Sequence, residues 1–259
     1  MPDSTARYTA VAIVLHWAIA FAILFNWPLG LWMHEQAEHG QVGEGVFRAF
    51  QLHKSIGLTV LALSLVRLGW RLGHATPPLP QHMPHWERVA AKATHWAFYV
   101  LMIALPLTGW LYVSAEWSAH TDAPLAVPTR FFGLFHVPDL FGLSHADDNA
   151  RSSAAHLSLS AHGLLGWSML VLAVLHVAAA LKHHVFDKDD VLVNMVPGLP
   201  APFQRPQEVE KNPARLATLG LGLGVTALLA AMALYTVFTL PAQNPAPQPP
   251  STFQTVAPA

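Results

Sequence analysis

Cysteine is absent from the 259-residue chain. That excludes disulfides, thiolate zinc sites, iron–sulfur clusters and covalently attached c-type haem. Charge is scarce too. Asp, Glu, Lys and Arg make up 11 % of the residues, against roughly 25 % in an ordinary soluble domain. The net charge is −1, with no basic excess, so nucleic acid is not an expected partner. A composition 53 % hydrophobic also excludes a disordered chain. What the sequence has in excess is histidine, with 16 residues against 14 for Lys and Arg together. An apolar, cysteine-free, histidine-rich chain points to a membrane protein that uses imidazole as a ligand or proton carrier.

Five stretches have the length and apolarity of a membrane span, which needs roughly 20 residues. They run over about 9–33, 52–69, 94–113, 156–181 and 216–240. The first is too long for a cleavable signal peptide, and no small-residue cleavage site follows it. With five spans, ten of the Lys and Arg residues fall on one side and four on the other. The excess of positive charge assigns the first side, with the N-terminus, to the cytoplasm. The C-terminus is then expected outside, as an uncharged tail over 241–259 with six prolines. The outer loop, roughly 114–155, contains Phe131-Phe132-Gly133-Leu134-Phe135. So apolar a run is poorly solvated in water, and an interfacial segment over the bundle mouth is the expectation.

Most of the histidines fall in loops and read as solvated surface. His16 in span one, His53 in span two, and His162 and His176 in span four lie within the membrane, where an ionisable side chain is expensive and faces the bundle interior. His162 and His176 are 14 residues apart. At 3.6 residues per turn they share one helix face, ~21 Å apart along the axis. His53 enters from the same side as His162, and His16 from the same side as His176. Two antiparallel pairs at two depths are what two stacked porphyrins require. Imidazole on both axial positions leaves iron no open site, which suits electron transfer rather than oxygen binding. Gly57, Gly163 and Gly166 lie near these histidines; small residues there serve either the approach of a macrocycle or ordinary helix packing.

A family resemblance becomes specific at this point. Leu15-His16-Trp17, Leu52-His53-Lys54, Val66-Arg67-Leu68, the run Ala104 to Gly109, His162-Gly163, and Leu175-His176 through Lys182-His183-His184 resemble the bacterial cytochrome b561 family. The ordered set covers roughly residues 5–198. The resemblance implies an all-α integral membrane fold. It would be a four-helix di-haem b bundle over 1–198, holding two haem b on His16/His176 and His53/His162. A connector and fifth transmembrane helix (199–240) and the Pro-rich periplasmic tail (241–259) would be additions. It further implies a multi-pass protein of the bacterial inner membrane that passes electrons to ubiquinone. One branch of the family oxidises superoxide at the outer face. The added span and tail resemble fusions that carry a periplasmic isoprenoid-binding β-barrel, and no such barrel is in this sequence.

Further candidates surround the pairs. Arg67 shares the helix face of His53, with Arg71 one turn on. They serve haem propionates or a quinone oxygen, or they are positive-inside anchors. His95 and His183 lie at the same level and suit proton delivery to a quinone, which takes two protons with two electrons. By resemblance His183 belongs to the quinone pocket, and His184 faces away. Lys54 adjoins the outer pair, either to attract an anion such as superoxide or to snorkel. Gly220 and Gly224 in span five offer a face for a homodimer or partner subunit. Three other readings compete: the cytochrome b subunit of a multi-subunit oxidoreductase such as a hydrogenase, a His-lined metal transporter, and a haem-free anchor. The transporter requires carboxylates beside the histidines within the spans, where the sequence has essentially none.

Overall fold

The computed structural model describes residues 8–40, 43–79, 83–189 and 191–196. Four long helices carry the architecture: α1 (Ala10–Glu38), α2 (Glu44–Gly73), α3 (His85–Ser114) and α4 (Asp148–Lys182). All four are long and apolar enough to cross a membrane. Helix is what such sequences must form there, because it satisfies every backbone N–H and C=O within the segment. The all-α membrane bundle expected from the sequence is therefore the observed architecture. The expected fifth span and the Pro-rich tail lie outside the described residues.

The helix starts are chemically marked. The Thr9 hydroxyl accepts from the Ala12 amide at 3.3 Å and caps α1. The Asp147 carboxylate accepts from the Ala150 amide at 3.0 Å and caps α4. Carboxylates in the described helices sit only toward their ends, as in Glu35, Glu38, Glu44, Glu87 and Asp148. Among the described residues, the interior of the bundle is left to apolar side chains, histidine and uncharged polar groups such as Gln51, Ser55 and Ser64.

Packing is uneven. Helix α2 packs on α1 and α3, and α4 packs chiefly on α3. The core gathers Ile19, Ala22, Leu52, Ile56, Val60, Tyr99, Leu101, Met102 and Met169. Helix α4 buries only Ala155, Ser158 and Met169, although it is the longest of the four. Its other apolar side chains, among them Leu164, Val171, Val174 and Leu175, stand exposed on the protein and meet lipid in a membrane.

The segment between α3 and α4, expected as an interfacial segment over the bundle mouth, is folded. It forms two short hairpins, β1 (Trp117–Ser118) with β2 (Ala123–Pro124) and β3 (Arg130–Phe131) with β4 (Phe135–His136), then a 3-10 turn over Leu140–His145. Gly133, at φ 75°, reverses the second hairpin. The reversal drives Phe132 down into the bundle, where it is 1 % exposed, while Leu134 and Phe135 stay outside. Helix α2 holds this plug through backbone bonds. The Gln51 amide donates to Pro128 O at 2.8 Å, and its Oε1 accepts from the Arg130 amide at 3.2 Å. The Ser55 hydroxyl accepts from the Phe132 amide at 2.9 Å. Arg151 ties the ends of α3 and α4 together by donating to Ala115 O and Glu116 O at 2.9 and 2.6 Å.

Phe132→Ala leaves a hole where a buried aromatic stood and should cost about 3–5 kcal/mol. Thermal unfolding in detergent should show Tm falling by several degrees, whereas Leu134→Ala on the exposed side of the hairpin should leave it unchanged.

Candidate functional site: two histidine pairs along the bundle

The four membrane histidines meet in two pairs. At the loop end, His53 of α2 faces His162 of α4 with ring centres 6.1 Å apart and planes at 70°. Toward the chain-terminal end, His16 of α1 faces His176 of α4 at 6.2 Å and 58°. An imidazole nitrogen binds a first-row metal ion at about 2.0–2.1 Å, and the ring centre lies about 1.1 Å behind that nitrogen. Two rings on opposite sides of one ion therefore have centres about 6.2–6.4 Å apart. Both pairs have this spacing, and no other side chain is needed to complete either one.

The second nitrogens are also consistent with ligation. His162 Nδ1 lies 3.0 Å from Leu105 O and 3.2 Å from Thr108 Oγ1, which orients the ring and leaves Nε2 bare. His53 Nδ1 is buried with no hydrogen-bond partner, while its backbone carbonyl accepts from the Asn26 side chain at 3.3 Å. A buried polar nitrogen left unpaired costs free energy unless a ligand uses the ring. The residues present fit a bis-imidazole haem at each level.

Two glycines make room for the rings at the loop end. A Cβ on Gly30 of α1 would stand 2.9 Å from His53 Cε1, and one on Gly109 of α3 would stand 3.0 Å from His162 Cε1. Each ring thus lies flat on a neighbouring helix where no side chain intervenes. The sequence also singled out Gly57, Gly163 and Gly166, for the approach of a macrocycle or for helix packing. A Cβ at Gly163 or Gly166 meets nothing within 4 Å, and one at Gly57 meets only Asn26 Nδ2 at 4.0 Å. Cross-helix approach leaves no periodic mark in the sequence. The one signal was position, since Gly30 and Gly109 each follow a helix-interior proline, Pro28 and Pro106.

The other expected residues fall in three places. Arg67 Nη1 lies 3.0 Å from His16 Nδ1, and Arg67 and Arg71 line one open cleft with Tyr8, Trp70, Tyr99 and Met195. His95 packs edge-on against His176, with ring centres 5.7 Å apart. His183 stands two turns beyond His176 among carboxylates that sequence reasoning missed. Its Nδ1 is 2.8 Å from Asp187 Oδ2 and 3.0 Å from Asp189 Oδ2, and its Nε2 is 3.8 Å from Glu87 Oε2. Lys54 is committed to the loop: its ammonium donates to Val127 O and Pro128 O, both at 3.3 Å.

Known proteins resemble this chain. A family model described as prokaryotic cytochrome b561 matches residues 7–198. "Cytochrome b561 homolog 2" of Escherichia coli strain K12 is 35 % identical over 196 residues, covering 75 % of this chain and 93 % of the relative. "Probable superoxide oxidase CybB" of Yersinia pestis is 26 % identical over 194 residues, covering 74 % and 96 %. "Cytochrome b562" of Cereibacter sphaeroides is 33 % identical over 135 residues, covering 50 % and 82 %.

Because the Gly30 and Gly109 contacts are with rigid rings, Gly30→Ala and Gly109→Ala should each lower the haem retained per chain, read from the visible spectrum of purified protein. Gly45→Ala, where a Cβ meets nothing, should retain the wild-type amount.

Proposed function

On the premise that this chain belongs to the prokaryotic cytochrome b561 family, a family of membrane electron-transfer proteins, we propose that it carries electrons between a small donor at its loop end and ubiquinone at its terminal end. His53/His162 and His16/His176 hold one haem b each. The donor is superoxide, a choice that rests on the name of the Yersinia relative and on the small size the loop end imposes. The observation that carries the reading is the pair of opposed imidazole couples, at 6.1 and 6.2 Å, on one face of α4.

Haem held by these four histidines would supply one-electron redox chemistry. The chain's own groups do the rest. His53, His162, His16 and His176 exclude any exchangeable ligand. The Phe132 plug keeps bulk water and large donors away from the outer pair. Lys54 places an amine at the loop end, where its protonated form attracts an anion even while it holds two loop carbonyls. At the other end, Arg67 can only donate, so it holds His16 with Nδ1 accepting and the ring proton on Nε2. A metal-bound imidazole presents a bare nitrogen to the ion. Loading at Nε2 therefore releases Arg67 toward anionic or carbonyl groups in the cleft it lines with Arg71. His95 and His183 supply protons. The balance is two superoxide oxidised to two dioxygen while one quinone takes two electrons and two protons to become quinol.

The asymmetry of Lys and Arg supports a cytoplasmic terminal end in the bacterial inner membrane. The lack of cysteine makes this directly testable. A single cysteine at Ala126, in the exposed loop, should react with a membrane-impermeant maleimide in spheroplasts, and one at Thr76 should not; the reverse pattern inverts the protein.

Purified protein should contain two haems per chain by reduced-minus-oxidised spectroscopy. Superoxide should reduce them and ubiquinone reoxidise them, and His162→Ala should remove about half of the haem. If superoxide leaves the protein oxidised while quinol reduces it, the direction is reversed, and the chain is the cytochrome b subunit of a larger oxidoreductase.

A further inference from the structure

The end of α4 has a construction that membrane crossing does not explain. Past Lys182 the helix widens into a π-turn over His183–Asp187. It stops at Lys188, a non-glycine residue in the left-handed region at φ 57° and ψ 39°. Such a conformation costs of order 1 kcal/mol and is kept where the surroundings demand it. Its effect here is to fold Asp189 back beneath the helix, where the Asp189 amide donates to His183 O at 3.1 Å. The Asp189 carboxylate is then split between two tasks. One oxygen accepts from the Val191 amide at 3.1 Å. The other, Oδ2, is buried without a hydrogen bond and lies 3.0 Å from His183 Nδ1. Asp189 is 6 % exposed.

A buried carboxylate needs a positive partner. Lys182 is engaged elsewhere, at 2.7 Å from Glu87 and 2.9 Å from Asp187. Glu87 from α3 and Asp187 and Asp189 from the turn stand within 4 Å of the His183 ring nitrogens. Lys182 already bridges Glu87 and Asp187, in the position a bound cation would otherwise take. A carboxylate can only accept, so the nearness of Asp187 and Asp189 favours a proton on Nδ1, and a proton on Nε2 is the one available for transfer.

Resting on the reading of His183 as the group beside the quinone, we propose that Asp187 and Asp189 are its positioning residues. They orient His183 through Nδ1 so that Nε2 delivers one of the two protons taken up by the reduced quinone. The proton leaves Nε2 for a quinone oxygen, and the quinone's two electrons come from superoxide. Nδ1 keeps its proton beside the two carboxylates, and Nε2 regains one from water.

The test uses full-length, haem-loaded protein in nanodiscs, each variant first shown to keep the wild-type visible spectrum. Stopped-flow reoxidation of the prereduced protein by a short-chain ubiquinone is measured against quinone concentration, in H2O and in D2O. Asp187→Asn and Asp189→Asn should lower the maximal rate on the order of 10-fold or more. The half-saturating quinone concentration should not change, and the solvent isotope effect should rise. Asp187→Glu, which keeps the carboxylate, should recover most of the rate. If His183→Gln slows reoxidation while both Asn variants keep the wild-type rate and isotope effect, the positioning role is wrong and the quinone reading survives. If His183→Gln has no effect, the quinone is not at His183 and both fall.

Discussion

An imidazole ring carried into an apolar bundle gives up its water, and its two nitrogens must then be satisfied inside the protein. Much of this structure follows from doing that four times, twice along one face of α4 and once each on α1 and α2. His162 answers with Leu105 O and Thr108 on one nitrogen. His16 answers with Arg67. His53 has no answer of its own on Nδ1. What remains is two pairs of rings facing each other across the bundle, with centres 6.2 and 6.1 Å apart. The sparse burial of α4 belongs to the same account. A helix that must present two rings to a partner between helices packs closely on one neighbour, α3, instead of several.

The two ends of the bundle are built from different material. At the loop end the polar groups are spent on backbone: Gln51, Lys54 and Ser55 bond the loop main chain and hold Phe132 inside. At the opposite end they remain free for chemistry. Arg67 and Arg71 line an open cleft, His95 leans on a pair member, and His183 sits in a nest of carboxylates. One end admits only what can act from outside. The other has donors and acceptors for a molecule that must be bound and protonated.

How much of this was legible in the sequence follows from what each feature depends on. Hydropathy and helical spacing depend on local order alone, so the four described spans and the two histidine pairings could be read directly. The helices nonetheless begin and end several residues beyond the apolar windows, because polar ends such as Glu44 and Asp148 continue the helix into the interface. Gly30 and Gly109 were missed because their significance lies on another helix. Phe132 was read only as part of an interfacial segment, since nothing local shows that Gly133 turns the strand and Ser55 waits 77 residues away. Asp187 and Asp189 looked like ordinary charges past the end of a span. Only the left-handed Lys188 brings the second of them back to His183.

The Phe132 plug has an electrical consequence. A bundle closed by an apolar side chain and a stitched backbone gives protons no file of water to follow from the loop end. Charge therefore crosses as electrons, without a companion ion. In the proposed direction each electron moves toward the negative face of an energised membrane, against about 2.3 kcal/mol for every 100 mV. Protons are taken up separately on that same face. Each turnover therefore charges the membrane like a capacitor, and a tightly sealed mouth is what keeps that charge from leaking back.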